Sequence, residues 1–289
     1  MTTVYGDRTQ EELNSAYDAR GSVPDFENTY LPGFTRDSER VRKALPGPRD
    51  VAYGPHRDQV CDIFPAKEAG APVHLFIHGG YWRMLTKNEN SYVADVLTPA
   101  GATVMVNTYS LCPTVHIDVI VRQCRDFIAW AYKNAHLYGG DPRRLYVSGH
   151  SAGGHLTGMM LATDWEADYG LPADVIKGAA PISGLFDLRP LRQAFTNEWL
   201  QLSEMATERN SPLLNLPPKY KCPVVVAYGG DDPIGFHEQS DAYIEALRGH
   251  GVDVTYVPLP GLDHFAVGNE YMKADSPLTK AILAQMGLG

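Results

Sequence analysis

The feature that most constrains the fold of this 289-residue chain is the alternation of short apolar runs with longer segments of helical periodicity. The runs are rich in β-branched residues, which favour strands. Strands that alternate with helices form βαβ units, which build a mostly parallel sheet with helices on both faces. The predicted strands are 59–64, 73–78, 103–109, 145–149, 178–183, 224–229 and 254–259, and the predicted helical stretches are 87–98, 114–138, 151–163, 235–250 and 273–286.

The strand patterns also predict burial. Continuous apolar runs at 73–78, 145–149 and 224–229 indicate strands buried on both faces, whereas the two-residue alternation in 59–64 indicates a half-exposed strand. Right-handed crossovers bring the carboxyl ends of parallel strands to one edge of the sheet, where ligand sites of open α/β sheets collect. Residues that directly follow the strands are therefore candidates for a functional site.

Two regions depart from the regular alternation. Residues 8–20 predict a short polar helix, and residues 21–50, with four prolines, predict an extended and loop-rich arm. Residues 185–222 carry helical pieces and the prolines Pro212, Pro217 and Pro218, and about 35 residues are too few to build a core alone. We interpret 1–50 as an N-terminal arm and 185–222 as a cap-like insertion within a single domain that spans 1–289.

Composition limits the partners and the location. The net charge of −9 argues against nucleic acid or an anionic membrane as the main partner. The polar start MTTVYGDRTQEEL is unlike a signal peptide, and no apolar run reaches 18 residues. The cysteines show neither a CxxC pair nor zinc-ligand spacing, so we expect free thiols, no metal and no organic cofactor. The sequence therefore predicts a cytoplasmic protein that acts on a small molecule. It leaves the oligomeric state open, with a homodimer among the alternatives. The cysteines are Cys61, Cys112, Cys124 and Cys222.

The pattern Gly149-His150-Ser151-Ala152-Gly153 is the main signal of chemistry. It follows the predicted strand LYVS and opens a helical run, which is the strand–turn–helix context that a G-x-S-x-G motif requires. Such a turn lifts the hydroxyl above the sheet edge, and the helix amino terminus favours developing negative charge. A glycine-rich turn with a serine N-cap is the structural alternative. We predict that Ser151 is a nucleophile.

A nucleophilic serine needs a base, and the base needs an orienting acid. In this architecture the chain order is serine, acid, histidine. His264 lies in the loop directly after the last predicted strand, from which it can reach the serine, and is the predicted base. The predicted acid follows the strand at 224–229, and spacing alone leaves Asp231 and Asp232 open.

Weaker candidates remain for both roles. Asp187 follows the predicted strand at 178–183. Asp263 lies next to His264, and we expect it to shape its own turn. His150 and His155 lie too close to Ser151 in sequence to approach its hydroxyl from across the edge.

The run His78-Gly79-Gly80-Tyr81-Trp82 is the candidate oxyanion site. Preorganised N–H groups stabilise the negative charge that develops on an attacked carbonyl oxygen. One donor normally belongs to the residue after the nucleophile, here Ala152, and the other to the loop after the third strand. We expect Gly79, Gly80 and Tyr81 to supply that second donor and His78 to fix the loop by hydrogen bonding.

Together, HGGYW, GHSAGGH, DDPIGFHEQS and LDHF resemble α/β-hydrolases of the kynurenine formamidase type, which are related to the hormone-sensitive-lipase-like esterases. The resemblance covers about residues 55–285 and implies the α/β-hydrolase fold. In that family the catalytic aspartate lies four residues before the phenylalanine of an F-H-x-Q-S stretch, and this selects Asp232. The family resemblance also implies that the N-terminal stretch LNSAYDAR helps to shape the substrate pocket.

The leading functional hypothesis is a serine hydrolase that cleaves a small aryl formamide such as N-formylkynurenine through an acyl-enzyme. Tyr81, Trp82 and Tyr109 are the predicted aromatic walls for the substrate, and ordinary packing is their alternative role. A carboxylesterase acting on short-chain or xenobiotic esters is the second hypothesis, with identical machinery. A non-catalytic binding protein on the same scaffold is the third, and the intact Ser151, Asp232 and His264 argue against it.

Overall fold

A computed structural model describes residues 2–219 and 221–289 of the chain. Its eight strands form one sheet in the order β1-β2-β4-β3-β5-β6-β7-β8. They are β1 Val51–Ala52, β2 Val60–Phe64, β3 Ala71–Ile77, β4 Thr103–Asn107, β5 Gly140–His150, β6 Ile176–Ile182, β7 Val224–Gly229 and β8 Val254–Leu259. The α-helices are α1 Gln10–Tyr17, α2 Phe26–Ala44, α3 Ala94–Leu97, α4 Ile117–Asn134, α5 Ala152–Leu161, α6 Trp165–Tyr169, α7 Arg189–Gln193, α8 Asn197–Leu200, α9 Glu204–Arg209, α10 Ile234–Gly249 and α11 Pro277–Gln285.

The seven predicted strands are all present, and their pairing is mostly parallel, as predicted. Strands β3 to β8 pair in parallel, whereas β1 and β2 join the sheet antiparallel. The two-residue β1 was not predicted, because its sequence is too short to show a period. Strands β3 and β7 are buried along their whole length. Successive side chains of β3 enter apolar cores on opposite faces of the sheet, Leu75 on one and Phe76 on the other.

The prediction that β2 is half exposed is wrong. Residues Cys61 to Phe64 are all buried, including the carboxylate of Asp62. Lys87, itself buried, places its ammonium 3.0 Å from one carboxylate oxygen, and Arg42 of α2 places a guanidinium nitrogen 2.8 Å from the other. The alternating polar residue therefore faces a buried ion cluster and not solvent, because Arg42 of α2 and the buried Lys87 reach its carboxylate.

The extended arm predicted for residues 21–50 is also wrong over its central part, where α2 runs from Phe26 to Ala44. Its buried side chains recur at helical spacing and include Phe26, Phe34 and Val41. Pro32 lies inside the helix but on its exposed face, so the carbonyl that loses its N–H partner stays accessible to water. The prolines had suggested a loop, but the packing of the apolar face against the 3₁₀ turn at Ser91–Val93 overrides them.

Three short helices, α7 to α9, occupy the predicted insertion between β6 and β7. The polar helix predicted for residues 8–20 is present as α1, which packs against α10 and α7. The division of residues 1–289 as a single domain stays a prediction. Within the described ranges, none of the helices is both long enough and apolar enough to span a membrane.

The buried ion cluster gives a stability prediction. Replacing Asp62 by asparagine removes the buried carboxylate between Lys87 and Arg42 and leaves Lys87 with the exposed carboxylate of Asp50, 2.8 Å away. Breaking a buried pair costs about 3–5 kcal/mol of unfolding free energy, and we expect a loss near the lower end because Asp50 remains. The matched control is Asp141→Asn, because the Arg143 partner of Asp141 is exposed and such surface pairs contribute under about 1 kcal/mol. Urea unfolding at neutral pH measures both variants, and equal losses would contradict the structural role of the cluster.

Candidate active site

The turn between β5 and α5 presents Ser151 at the carboxyl edge of the sheet. Its backbone adopts φ 60° and ψ −120°, and its N–H donates to the carbonyl oxygen of Ile182 at 2.9 Å. The flanking glycines allow this turn because a Cβ on Gly149 would lie 2.3 Å from the Gly153 oxygen, and one on Gly153 would lie 2.0 Å from the Ile77 oxygen. The strand–turn–helix context predicted for the motif is confirmed.

Asp232 and His264 form a buried hydrogen-bonded pair. The Nδ1 of His264 lies 2.8 Å from Oδ1 of Asp232. Because an ionised carboxylate can only accept, Nδ1 carries the proton and Nε2 keeps its lone pair. Of the two aspartates that spacing left open, Asp232 is the one paired with the histidine, and Asp231 is exposed. The base and acid predicted from the sequence are thus held together from two loops, after β8 and after β7.

Asp232 is held from its other side as well. Its Oδ2 accepts a hydrogen bond from the Ser183 hydroxyl at 2.7 Å and another from the Gly229 N–H at 3.0 Å. Burial alone would raise the pKa of Asp232, but the imidazole of His264 and these hydrogen bonds hold it below its usual value. The carboxylate therefore stays ionised and can orient His264.

Three rings surround His264. Phe236 lies 4.4 Å from its centroid, His150 lies 4.7 Å away, and Phe265 meets it edge-on at 5.2 Å. Burial and the adjacent His264 lower the pKa of His150 to about 3, so this second imidazole is neutral. The packing leaves His264, only 1% exposed, little freedom to rotate away from Asp232.

Three of the predicted oxyanion donors, Gly79, Gly80 and Tyr81, line the same cavity as Ser151, and the fourth, Ala152, follows it in the chain. Ala152 is the first residue of α5, where no helix carbonyl is available to accept its N–H. The loop after β3 turns sharply, with φ 50° at Tyr81 and 56° at Trp82. Within the described part of the chain, the amides of Gly79, Gly80, Tyr81 and Ala152 donate to no protein acceptor, which leaves them available to a ligand oxygen.

His78 fixes this loop, as the sequence analysis predicted. Its Nδ1 donates to the Gly79 carbonyl at 2.8 Å, and its ring stacks on Tyr109 with centroids 3.9 Å apart. The Tyr109 hydroxyl donates to the His78 carbonyl at 2.8 Å. Burial lowers the pKa of His78 to about 4, so the imidazole is neutral and acts through its hydrogen bond.

Two of the three predicted aromatic walls do not face the cavity beside Ser151. Trp82 and Tyr109 are buried behind the loop, and neither lines the cavity. The Trp82 indole donates to His155 Nδ1 at 3.2 Å, and His155 Nε2 lies 2.7 Å from the Asn210 carbonyl. Trp82 and Tyr109 therefore have the alternative role of ordinary packing, because each ring supports the loop after β3 from the side away from the cavity.

Tyr81 does line the cavity, and the N-terminal arm holds it there. Its hydroxyl donates to the backbone carbonyl of Tyr17, at the end of α1. Its ring makes edge-on contacts with Phe195, Trp199 and Phe236. The stretch that resembles the family's pocket-forming segment therefore contacts the cavity wall directly.

The cavity encloses about 280 Å³ beside Ser151 and His264. This is close to the lower end of small-molecule sites, roughly 300 Å³. Sequence reasoning missed most of its wall, since the contributing segments carry no motif and are distant along the chain. The missed aromatic side chains are Phe26, Phe34, Tyr92, Phe195, Trp199 and Phe265.

The weaker acid candidates have other partners. Asp187 forms an ion pair with Arg189 at 2.6 Å. Asp263 accepts from the Tyr30 hydroxyl and from the N–H groups of Phe265 and Ala266, so it shapes its own turn. Among the described residues, no group of three or more His, Cys, Asp or Glu side chains is arranged to hold a metal ion.

Comparison with known proteins identifies relatives over nearly the whole chain. Residues 74–267 match the family model of the α/β hydrolase fold. The chain is 32% identical to a kynurenine formamidase of Salmo salar, over 97% of this chain and 98% of that protein. It is 27% identical to Esterase LipQ of Mycobacterium tuberculosis, over 91% and 71%. A crystal structure of a candidate thioesterase from Silicibacter sp. TM1040 matches with a TM-score of 0.81 and 30% identity, over 94% and 98%.

The hydrogen bond from Ser183 gives a test of the acid's environment. Ser183→Ala removes one donor to Asp232 and should lower kcat on p-nitrophenyl acetate about tenfold, since hydrogen bonds to charged groups contribute about 1.5–3 kcal/mol. Ser240→Ala is the matched control, because that hydroxyl is buried on α10 without a partner among the described residues. A change in kcat that is the same for both variants would exclude a positioning role for Ser183.

Proposed function

The chain belongs to the α/β hydrolase family, and from this membership we propose that it is a serine hydrolase that cleaves small aryl formamides of the N-formylkynurenine type through an acyl-enzyme. The observation that carries the proposal is the opening of Ser151 and His264 into one small cavity with aromatic walls. The relatedness to kynurenine formamidases over nearly the full length supports the substrate class.

In the proposed acylation step, Ser151 Oγ attacks the formyl carbon while His264 Nε2 takes the hydroxyl proton. The carbonyl oxygen becomes an oxyanion, which accepts hydrogen bonds from the amides of Ala152 and of the loop at Gly79–Tyr81. The imidazolium then gives its proton to the departing aryl nitrogen, and the C–N bond breaks. This leaves a formyl ester on Ser151 and a free arylamine, with Asp232 stabilising the transient imidazolium.

Deacylation repeats the sequence with water as the nucleophile. His264 takes a proton from the water that attacks the formyl ester, and the same amides stabilise the second oxyanion. The proton then returns to Ser151 Oγ, which releases formate. The proposal needs no metal and no organic cofactor, since the backbone amides and the Asp232–His264 pair supply both the charge stabilisation and the proton transfer.

The position of the Tyr81 ring in the cavity wall favours a substrate with a small acyl group. Tyr81 stands where esterase relatives of this family commonly carry a third glycine, and its hydroxyl is anchored on Tyr17. The ring lies 6.4 Å from Phe236, which itself packs on His264. A formyl group adds only a hydrogen to the carbonyl carbon, so it tolerates this crowding better than a long acyl chain.

A carboxylesterase is the second candidate function, because the same machinery cleaves activated esters. The similarity to Esterase LipQ supports it. A thioester would also react by acyl transfer to Ser151, so the candidate thioesterase from Silicibacter sp. is compatible with the same chemistry. Formamide, ester and thioester hydrolysis differ in the leaving group, so each reaction needs different cavity walls to bind its substrate.

We also propose a cytoplasmic location. The four cysteines are buried free thiols, which is the state typical of reducing compartments.

Substrate comparison separates the two candidate functions. We expect kcat/KM for N-formylkynurenine to exceed that for p-nitrophenyl acetate and p-nitrophenyl butyrate, measured on the same purified protein. Negligible formamide turnover beside rapid ester turnover would overturn the formamidase proposal and favour the esterase.

Replacing the nucleophile tests the mechanism itself. Ser151→Ala should lower kcat on the best substrate by about 10⁴-fold or more, because attack and proton transfer act as one unit. The variant should retain its fold, since alanine fits the 4%-exposed site without a clash. Turnover within tenfold of the unmodified protein would exclude Ser151 as the nucleophile.

A further inference from the structure

Four charged side chains line the cavity, and two of them already have partners within the protein. Arg20 pairs with Glu27 of α2 and lies over the Phe26 ring at 5.7 Å. Asp18 accepts a hydrogen bond from the Gly21 N–H at 2.8 Å. These two groups are used in closing the N-terminal arm over the site.

The other two, Arg83 and Glu198, have no counter-charge among the described residues. Arg83 forms no ion pair, and its guanidinium lies over the indole of Trp199, 4.3 Å from the ring centroid. Glu198 also forms no ion pair, with Arg83 or with any other described cation. One cation and one anion therefore face the same cavity, and neither neutralises the other.

Trp199 links Arg83 to the loop after β3. Its indole N–H donates to the Tyr81 carbonyl at 3.0 Å, so it is fastened to the oxyanion loop. Arg83 belongs to the same loop, and its own N–H donates to the Gly80 carbonyl at 3.0 Å. Glu198 precedes Trp199 in α8. Arg83, Glu198 and Trp199 all line the same cavity.

We propose that Arg83 binds the carboxylate and Glu198 the ammonium of an α-amino-acid group on the aryl formamide, so that these two side chains determine the specificity of the site. The inference rests on the proposed formamidase function and names the substrate's second recognition point. A zwitterionic substrate offers a carboxylate to Arg83 and an ammonium to Glu198. A simple ester or anilide offers neither group, so both side chains would remain without a ligand partner.

The chemistry of the two side chains fits these roles. A guanidinium can bind a carboxylate through two parallel hydrogen bonds, and its stacking on Trp199 fixes the plane of that fork. Both side chains are exposed, so solvent screens both attractions, but Glu198 binds an ammonium without the two-bond fork that Arg83 offers a carboxylate. We therefore expect the carboxylate end to dominate the discrimination between substrates.

Four formamides built on one ortho-acylphenyl core test the inference. N-formylkynurenine carries both charged groups, 4-(2-formamidophenyl)-4-oxobutanoate carries the carboxylate alone, 3-amino-1-(2-formamidophenyl)propan-1-one carries the ammonium alone, and N-(2-acetylphenyl)formamide carries neither. The readout is the kcat/KM of each charged substrate divided by that of the neutral one. This ratio cancels any general damage to the oxyanion loop, which a change beside Trp199 could cause.

In the unmodified protein, the ratios for both carboxylate-bearing substrates should be about ten or more. Arg83→Gln should bring the ratio for the carboxylate-only substrate close to one and lower that for N-formylkynurenine to the ratio of the ammonium-only substrate. Glu198→Gln should lower the ratios for both ammonium-bearing substrates by about twofold to fivefold. The matched control is Arg57→Gln, an exposed arginine that does not line the cavity, and it should keep all the ratios.

The outcomes separate this inference from the function on which it rests. Wild-type hydrolysis of all four formamides with equal kcat/KM would overturn the charge recognition and leave the formamidase function standing. Ratios that stay unchanged in Arg83→Gln or in Glu198→Gln would also overturn the charge recognition and leave the formamidase function standing. Hydrolysis of none of the four, beside rapid turnover of p-nitrophenyl acetate, would overturn the formamidase proposal and this inference together.

Discussion

The close approach of three backbone segments beneath Ser151 is the constraint on which the site depends. Strand β3, the end of β5 and the first turn of α5 lie so near one another that a Cβ on Gly149 or Gly153 would overlap a carbonyl oxygen. This packing holds Ser151 at φ 60°, ψ −120°, a backbone conformation that costs of order 1–3 kcal/mol and that only a well-packed surrounding can maintain. The same contact places the loop after β3 beside the nucleophile, so one steric constraint sets both the serine and the amides that face it.

The sequence predicted those parts of the molecule whose signals are local. The strands at 73–78 and 145–149, the turn at Ser151 and the histidine after β8 each follow from a short pattern in its immediate context. Spacing could not choose between Asp231 and Asp232, because the choice depends on which carboxylate turns inward, and that is set by Ser183 and the Gly229 N–H. The family resemblance selected the aspartate that the structure pairs with His264.

The errors share one physical cause, which is packing between segments distant in sequence. The alternation in β2 indicates exposure only if nothing covers Asp62, and here Lys87 and Arg42, both distant in sequence, form an ion cluster with it. The prolines in residues 21–50 weaken a helix locally, yet the burial of Phe26, Phe34 and Val41 outweighs that cost. Trp82 looked like a cavity wall from its place beside Tyr81, but the sharp turn directs its ring to His155.

This division between local and distant signals also separates catalysis from specificity. Ser151, Asp232, His264 and the candidate oxyanion amides come from short motifs, in a chain whose relatives include formamidases and esterases. Much of the wall that would contact the rest of a substrate comes from the residues after α1, from α2 and from α8, which meet only in the folded protein. Trp199 joins the two sets, because one ring supports the Tyr81 carbonyl and carries the Arg83 guanidinium. A change in α8 can therefore alter which substrate is held while the geometry around Ser151 is retained, and a family with one catalytic mechanism can acquire different substrates in this way.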